Sequence, residues 1–283
     1  ESLRLAPNMP EASLVLGHVY ASSDRRGAAI ESYRTALELL PDSTEAYMAL
    51  GNFLATEGVL ETEHEALPKL RIAVADDVKL WVPKLLGILT PYVLLEQEDW
   101  FEDEIKFVRC LLQPGDQAVD IGANYGCYTF AMSKAVGASG KVWAFEPASL
   151  TAFFLNLSCR ENKATNLHIF QAAVSDQAGT AAFNLSMAPE LSGLGEQEDG
   201  FLKEEVDVLT LDHCAETTKW KSVAFIKIDA EGHESQVLAG AKRVLEAHSP
   251  LIMYEIAHRG NISGGLVSQF ADLGYQTYRL IPG

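Results

Sequence analysis

Val119-Asp120-Ile121-Gly122-Ala123-Asn124-Tyr125-Gly126-Cys127-Tyr128-Thr129 is the stretch from which the rest of the chain is best read. Ala118 to Ile121 reads as a short buried strand, Gly122 to Gly126 as a tight loop, and Cys127 to Val136 as a helix. A strand, a glycine loop and a helix in that order build a nucleotide site. Gly122 and Gly126 permit backbone conformations and a close ligand approach that a Cβ would block, and the first free N–H groups of the helix favour a ligand carboxylate.

Working outward, Gln113-Pro114-Gly115-Asp116 is a turn, and Trp100 to Leu112 before it reads as an amphipathic helix. Downstream, Lys141 to Phe145 is a second strand that ends in Glu146-Pro147. The Glu146 carboxylate, 26 residues after Asp120, belongs at the strand end, placed to accept hydrogen bonds from both hydroxyls of a ribose. Dinucleotide sites prefer G-x-G-x-x-G, whose backbone meets a pyrophosphate. Here the spacing is G-x-x-x-G and opens D-x-G-x-N, which serves a pyrophosphate poorly.

The same eleven residues resemble motif I of the class I methyltransferases, and in particular of the FkbM family. Ala144-Phe145-Glu146-Pro147 is similar to the family's second motif, and Ala172-Ala173-Val174-Ser175-Asp176 follows a third strand as it does there. Asp207 to Asp212 resembles its Leu-Asp segment, Phe225 to Glu234 its most distinctive motif, and Tyr254-Glu255-Ile256 closes the fifth strand. The resemblance spans roughly residues 100 to 281. It implies an α/β fold with a Rossmann-like class I methyltransferase sheet over 113–283 and S-adenosylmethionine as cofactor. By the same resemblance, Asp120, Gly122, Asn124, Gly126 and Thr129 line the methionine end, Glu146 holds the ribose, and the chain at Ala172 and Ala173 passes the adenine. Asp229 and its neighbours lie near the sulfonium and the acceptor. O-methylation of a sugar or secondary-metabolite hydroxyl is the activity implied.

The residues around Asp229 support chemistry independently. Lys227 and Asp229 alternate in the apolar run Ala224 to Ile228 and share a strand face, while Glu231, Gly232 and His233 occupy the following loop and helix start. Methyl transfer to a hydroxyl is an in-line displacement that needs the acceptor oxygen held close and its proton removed. His233 is the first candidate base, since its ordinary pKa lies near working pH; Asp229 or Glu231 serves if repulsion raises it. The competing reading of Lys227, Asp229, Glu231 and His233 is a structural salt-bridge network or helix cap. Two carboxylates and a His could also hold a divalent cation, although nothing in the spacing demands one. Glu255 is a further candidate ligand or base, and Cys127 reads as a packing residue.

Asn184 to Glu205 is rich in Gly, Ser and acids without clear periodicity, and is expected to cover the acceptor through Met187, Leu191, Ser192 and Gly193. Tyr275 to Ile281 reads as the first strand of the terminal hairpin of a class I sheet, whose last strand is missing from the chain.

The first quarter of the chain has a different grammar. Leu5-Ala6-Pro7 aligns with Leu39-Leu40-Pro41, Glu11 with Glu45, Leu16 with Leu50 and Gly17 with Gly51, an offset of 34 residues. That period, with Leu-Gly on the first helix and Pro after the second, resembles the tetratricopeptide repeat. Ala12, Gly17, Ala29 and Ala36 allow close helix approach, while Leu16, Tyr33 and Leu37 fill between. Helical repeats over 1–75 and a helical connector over 76–112, with Pro68, Pro83 and Pro91 breaking the helical patterns of 61–112, complete the expected organisation. So short an array should lean on the catalytic domain or end a longer one. It serves either as a scaffold for a protein partner or as a structural cap.

Composition bounds the rest. A net charge of -17 argues against broad contact with nucleic-acid phosphates. The four cysteines are scattered without metal spacing, which suits a reducing compartment, and no apolar stretch is long enough to span a bilayer. A cytoplasmic protein acting on a small-molecule or glycan hydroxyl is expected. The reading from another class is a repeat-linked scaffold whose methyltransferase-like domain binds cofactor without catalysis.

Overall fold

The computed structural model of the chain describes residues 9–56, 67–186, 192–194, 202–254 and 264–280. Three helices come first: α1 (Pro10–Ser22), α2 (Arg26–Leu39) and α3 (Thr44–Thr56). A Cβ on Gly17 would lie 2.2 Å from the Tyr33 ring, so α1 and α2 approach as closely as the small residues predict. A β-hairpin follows, β1 (Lys69–Val74) and β2 (Val78–Pro83), then α4 (Leu89–Gln97) and α5 (Asp103–Leu111).

The hairpin corrects the expected helical connector. Lys-Leu-Arg-Ile-Ala-Val and Val-Lys-Leu-Trp-Val-Pro alternate with period two, and Asp76 and Asp77 turn the chain with φ of 62° and 56°. Pro68 and Pro83 mark strand ends and not helix breaks.

The central sheet is parallel and ordered β11-β10-β3-β4-β5. Its strands are β3 (Gln117–Ile121), β4 (Lys141–Phe145), β5 (Leu167–Phe170), β10 (Phe225–Ile228) and β11 (Leu251–Tyr254). β3, β4 and β10 are buried almost throughout, which is why they read as continuous apolar runs. Helices α6 (Cys127–Val136) and α7 (Ser149–Asn162) follow β3 and β4. This is the doubly wound order, with β3 and β10 as neighbours at the point where the winding reverses and where ligands of such sheets bind.

A second sheet, ordered β6-β9-β7-β8, lies in the crossover between β5 and β10. It comprises β6 (Ala173–Val174), β7 (Gly179–Leu185), β8 (Gly193–Leu194) and β9 (Leu202–Leu209). Most of the described part of Asn184 to Glu205 is therefore strand: Asn184 pairs with Lys203 and with Gly193. Helices α8 (Leu211–Thr218), α9 (Glu234–Ala239), α10 (Lys242–His248) and α11 (Gly264–Asp272) complete the described fold. Tyr275 to Leu280 form no strand, a second correction: no described segment pairs with them.

One apolar cluster joins Tyr33 and Leu50 of the first helices to Leu80 of the hairpin and Leu150 and Phe154 of α7. A Cβ on Gly51 would come within 2.7 Å of Leu150, so α3 lies directly on α7. The first helices thus lean on the α/β domain, one of the two outcomes expected of a short array. The outer edge of β2 is closed by that helix too. Lys79 N donates to Asn162 Oδ1 at 2.9 Å and Trp81 N to Ser158 Oγ at 2.8 Å, so side chains satisfy an edge that another strand would otherwise seek. Among the described residues no helix is long and apolar enough to cross a membrane.

Candidate functional site

At the carboxyl ends of β3, β4 and β10 lies a cleft whose empty space, counted out to open solvent, is about 620 Å3. Its rim at the winding reversal is built from backbone. Gly122 takes φ of 75°, and a Cβ there would sit 2.0 Å from the carbonyl oxygen of Asp229. Only glycine lets the β3 and β10 ends touch. Gly122 N and Ala123 N both donate to Phe145 O at 3.0 Å, which ties the loop to the end of β4.

Glu146 forms the β4 wall. Its Oε2 accepts from Asn124 N and its Oε1 from Ala148 N, each at 2.9 Å. Burial pushes this carboxyl up to about 7, against the opposing pull of the two amide donors. Asn124 reaches its place through a left-handed turn with φ of 49°, which asparagine tolerates. Behind this wall Glu204 of β9 accepts from both Ser149 N and Ser149 Oγ, fastening the second sheet to the start of α7.

The β10 wall is held by side chains. Lys227 Nζ donates to Asp229 Oδ2 at 2.9 Å, lies 4.0 Å from Asp120 Oδ1 and stands 5.0 Å over the Tyr128 ring. Burial would lower its pKa, but the Asp229 and Asp120 charges outweigh it and hold the ammonium well above the usual lysine range. Asp120 is raised by burial, in spite of Lys227 and of the hydrogen bond from Thr129 Oγ1. Beyond Asp229, Glu231 turns the chain with φ of 48°. His233 lines the cavity with its Nε2 2.9 Å from Ser175 Oγ, and burial lowers its pKa although Asp176 and Glu234 pull the other way.

Of the residues expected at the cofactor, Gly122, Asn124, Glu146, Ala172, Ala173 and Asp229 line the cavity. Asp120, Gly126 and Thr129 do not. Asp120 and Thr129 are wholly buried and bonded to each other beneath the loop, and a Cβ on Gly126 would meet Leu155 and Phe130. Of the expected catalytic set, Asp229, Glu231 and His233 line the cavity, and Lys227 sits below it, bonded to Asp229. Ser192 and Gly193 reach the same cavity from the second sheet; Met187, Leu191 and Glu255 lie outside the described residues. Cys127 packs against the apolar core, and burial pushes its thiol up to about 12, in keeping with a packing residue. Among the described residues no group of three or more His, Cys, Asp or Glu could hold a metal ion. Sequence reasoning assigned no role to Ser175 or Phe183. A polar pair directly after the two-residue β6 was the one hint of the first.

Residues 120–277, more than half of the chain, match the methyltransferase FkbM domain. The chain belongs to the FkbM methyltransferase family. No curated protein matches it. Among solved structures it is similar to a SAM-dependent methyltransferase from Aquifex aeolicus at 14% identity, over 68% of this chain and 91% of that one, with a TM-score of 0.37. A precorrin-6y C5,15-methyltransferase from Geobacter metallireducens matches at 14% identity, over 64% and 75%, with the same TM-score of 0.37. A SAM-dependent O-methyltransferase from Thermotoga maritima matches at 11%, over 73% and 76%, again at 0.37. Such scores place no residue.

For an FkbM methyltransferase the methyl donor is S-adenosylmethionine, and the cavity fits it. Each Glu146 oxygen accepts one backbone N–H and keeps acceptor capacity for a ribose hydroxyl. Phe145, Ala172 and Ala173 supply apolar surface beside it, and the Asp229 and Glu231 carboxylates suit a cationic ligand.

Proposed function

We propose that this FkbM methyltransferase methylates a hydroxyl group on a sugar or secondary-metabolite acceptor, with His233 as general base. The observation that carries the reading is one cavity that joins the Glu146 wall to Asp229, Glu231 and His233. Bound S-adenosylmethionine supplies an electrophilic methyl group. Glu146 holds the ribose, Gly122 and Asn124 border the methionine end, and Ala172 and Ala173 lie along the adenine. Asp120, Gly126 and Thr129 support that loop from beneath.

Lys227 serves as a fixed positive charge and not as a base, because its two aspartates keep it protonated. It in turn holds Asp229 in place through their 2.9 Å bond. His233, its pKa lowered by burial, is neutral near pH 7 and able to take the acceptor proton. Glu231 shares the wall as the second candidate for that role. Helices α1 to α3 are proposed to be tetratricopeptide-like and to offer a surface to a protein partner, on the strength of the 34-residue offset and the tight Gly17–Tyr33 packing. A division between the first helices and the α/β domain and a cytoplasmic location belong to the same proposal, although a boundary at residue 75 would cut the β1–β2 hairpin; the four cysteines, all free thiols, favour the location.

Calorimetric titration with S-adenosylmethionine and with NAD, on the wild type and on Glu146→Ala, tests the cofactor site. Micromolar binding of the former alone, weakened roughly 10- to 100-fold in the variant, is expected, and a screen of neutral sugars and polyols then tests the acceptor. Binding without turnover on any hydroxyl acceptor would favour the non-catalytic scaffold instead.

A further inference from the structure

His233 does not stand alone in the cavity wall. Its Nε2 lies 2.9 Å from Ser175 Oγ, and Ser175 Oγ donates to Asp176 Oδ1 at 3.0 Å. Ser175 is buried, and its mount is rigid. Its N–H donates to Leu209 O at 2.9 Å at the end of β9, and its carbonyl lies so close to Gly240 that a Cβ there would be 2.0 Å away. The His233 backbone is fixed as well: its N–H donates to Ala230 O, and its carbonyl accepts from Gln236 N and Val237 N, all at 3.1 Å.

With the Ser175 proton on Asp176, proton counting along this chain fixes one tautomer. A carboxylate only accepts, and a serine hydroxyl has one proton. With that proton given to Asp176, Ser175 Oγ meets His233 as an acceptor, so Nε2 must carry the imidazole proton. The basic lone pair is then on Nδ1. We propose that Ser175 and Asp176 are positioning residues that hold His233 as its Nε2–H tautomer and leave Nδ1 to receive the acceptor's proton. This rests on His233 being the base. In the transfer, the acceptor O–H proton moves to Nδ1 as the new O–CH3 bond forms and the S–CH3 bond breaks, and the imidazolium then releases its proton to water.

Asp176 is exposed, so Asp176→Asn tests the relay with little risk to folding. A carboxamide can donate to Ser175 Oγ, freeing the serine proton to turn toward Nε2 and drawing the imidazole toward Nδ1–H. The readout is the imidazole nitrogen shifts of the ligand-free full chain by NMR, with His233 assigned by its loss in His233→Gln. Nε2–H is expected in the wild type and in Ser175→Thr, and a gain of the Nδ1–H form in Asp176→Asn. The charged groups acting on His233 are Asp176 and Glu234, with Asp229 and Glu231 on the same wall. Losing the Asp176 charge therefore moves the His233 titration midpoint down. Turnover should fall about 10- to 100-fold, part of what a positioned base is worth, with S-adenosylmethionine affinity within about twofold. An unchanged tautomer and midpoint in Asp176→Asn would overturn the relay. Intact turnover in His233→Gln would overturn the base while the NMR result still decided the relay.

Discussion

The two walls of the cavity are built by different means. On the β4 side, Glu146 is gripped by two main-chain amides, and the loop facing it is bonded to the same strand end. On the β10 side, Asp229 and His233 are placed by other side chains, Lys227 and Ser175. A wall set by backbone keeps its shape when a side chain changes, so losses there should register as weakened binding. A wall set by side chains depends on its partners, and losses there should register in turnover and in stability. The division of labour proposed for the site follows this contrast.

The strongest test is His233→Gln. Removing a positioned base costs on the order of 10²–10⁴ in rate, so kcat should fall by that factor while calorimetry finds S-adenosylmethionine affinity within about twofold. A change in affinity with kcat intact would reverse the assignment of the walls. Next comes Lys227→Met, which leaves buried Asp120 and its neighbour Asp229 without their cation. Breaking a buried pair costs about 3–5 kcal/mol, visible as a lower midpoint in denaturant unfolding and partly restored by adding Asp229→Asn. Full stability in the single variant would mean that water already screens the cluster.

Glu146→Ala should act on the other wall alone, weakening S-adenosylmethionine by roughly 10- to 100-fold, as for the loss of one charged hydrogen bond of about 1.5–3 kcal/mol. Turnover at saturation should hold. The smallest effect is in pH. With its carboxyl pushed up to about 7, Glu146 is partly protonated at neutrality in the ligand-free protein. Ribose hydroxyls favour the ionised form, so binding releases a proton. Affinity should rise as pH climbs toward about 7 and level off above it, and the slope should vanish in Glu146→Gln. The raised pKa has the opposite sign for ligand-free stability: the contribution is complete below the ordinary glutamate range and fades as pH passes about 7.

Where the sequence misled, the reason is pairing. Lys69 to Pro83 carried a clear two-residue alternation, yet its prolines read as broken helix because nothing local says that two segments face each other. Asn184 to Glu205 lacked periodicity for another reason: the buried positions Asn184 and Glu204 are polar, so alternation of burial does not show as alternation of polarity. Tyr275 to Leu280 show the converse, a strand-like composition without a described partner.

The glycine loop, the acidic strand end and the helix after them were legible because their information is local. φ above zero favours glycine or asparagine, a buried parallel strand favours an apolar run, and a carboxylate at its end has few structural excuses. Those features, read in order, determined the α/β fold and pointed to the strand ends where the cavity lies. Tertiary structure alone decided that Asp120 and Thr129 lie under the loop and not in it, that Lys227 is locked between two aspartates, and that Ser175 stands against His233 across 58 residues of chain. Contacts of that separation depend on which strands become neighbours, and strand order is settled by packing the whole sheet.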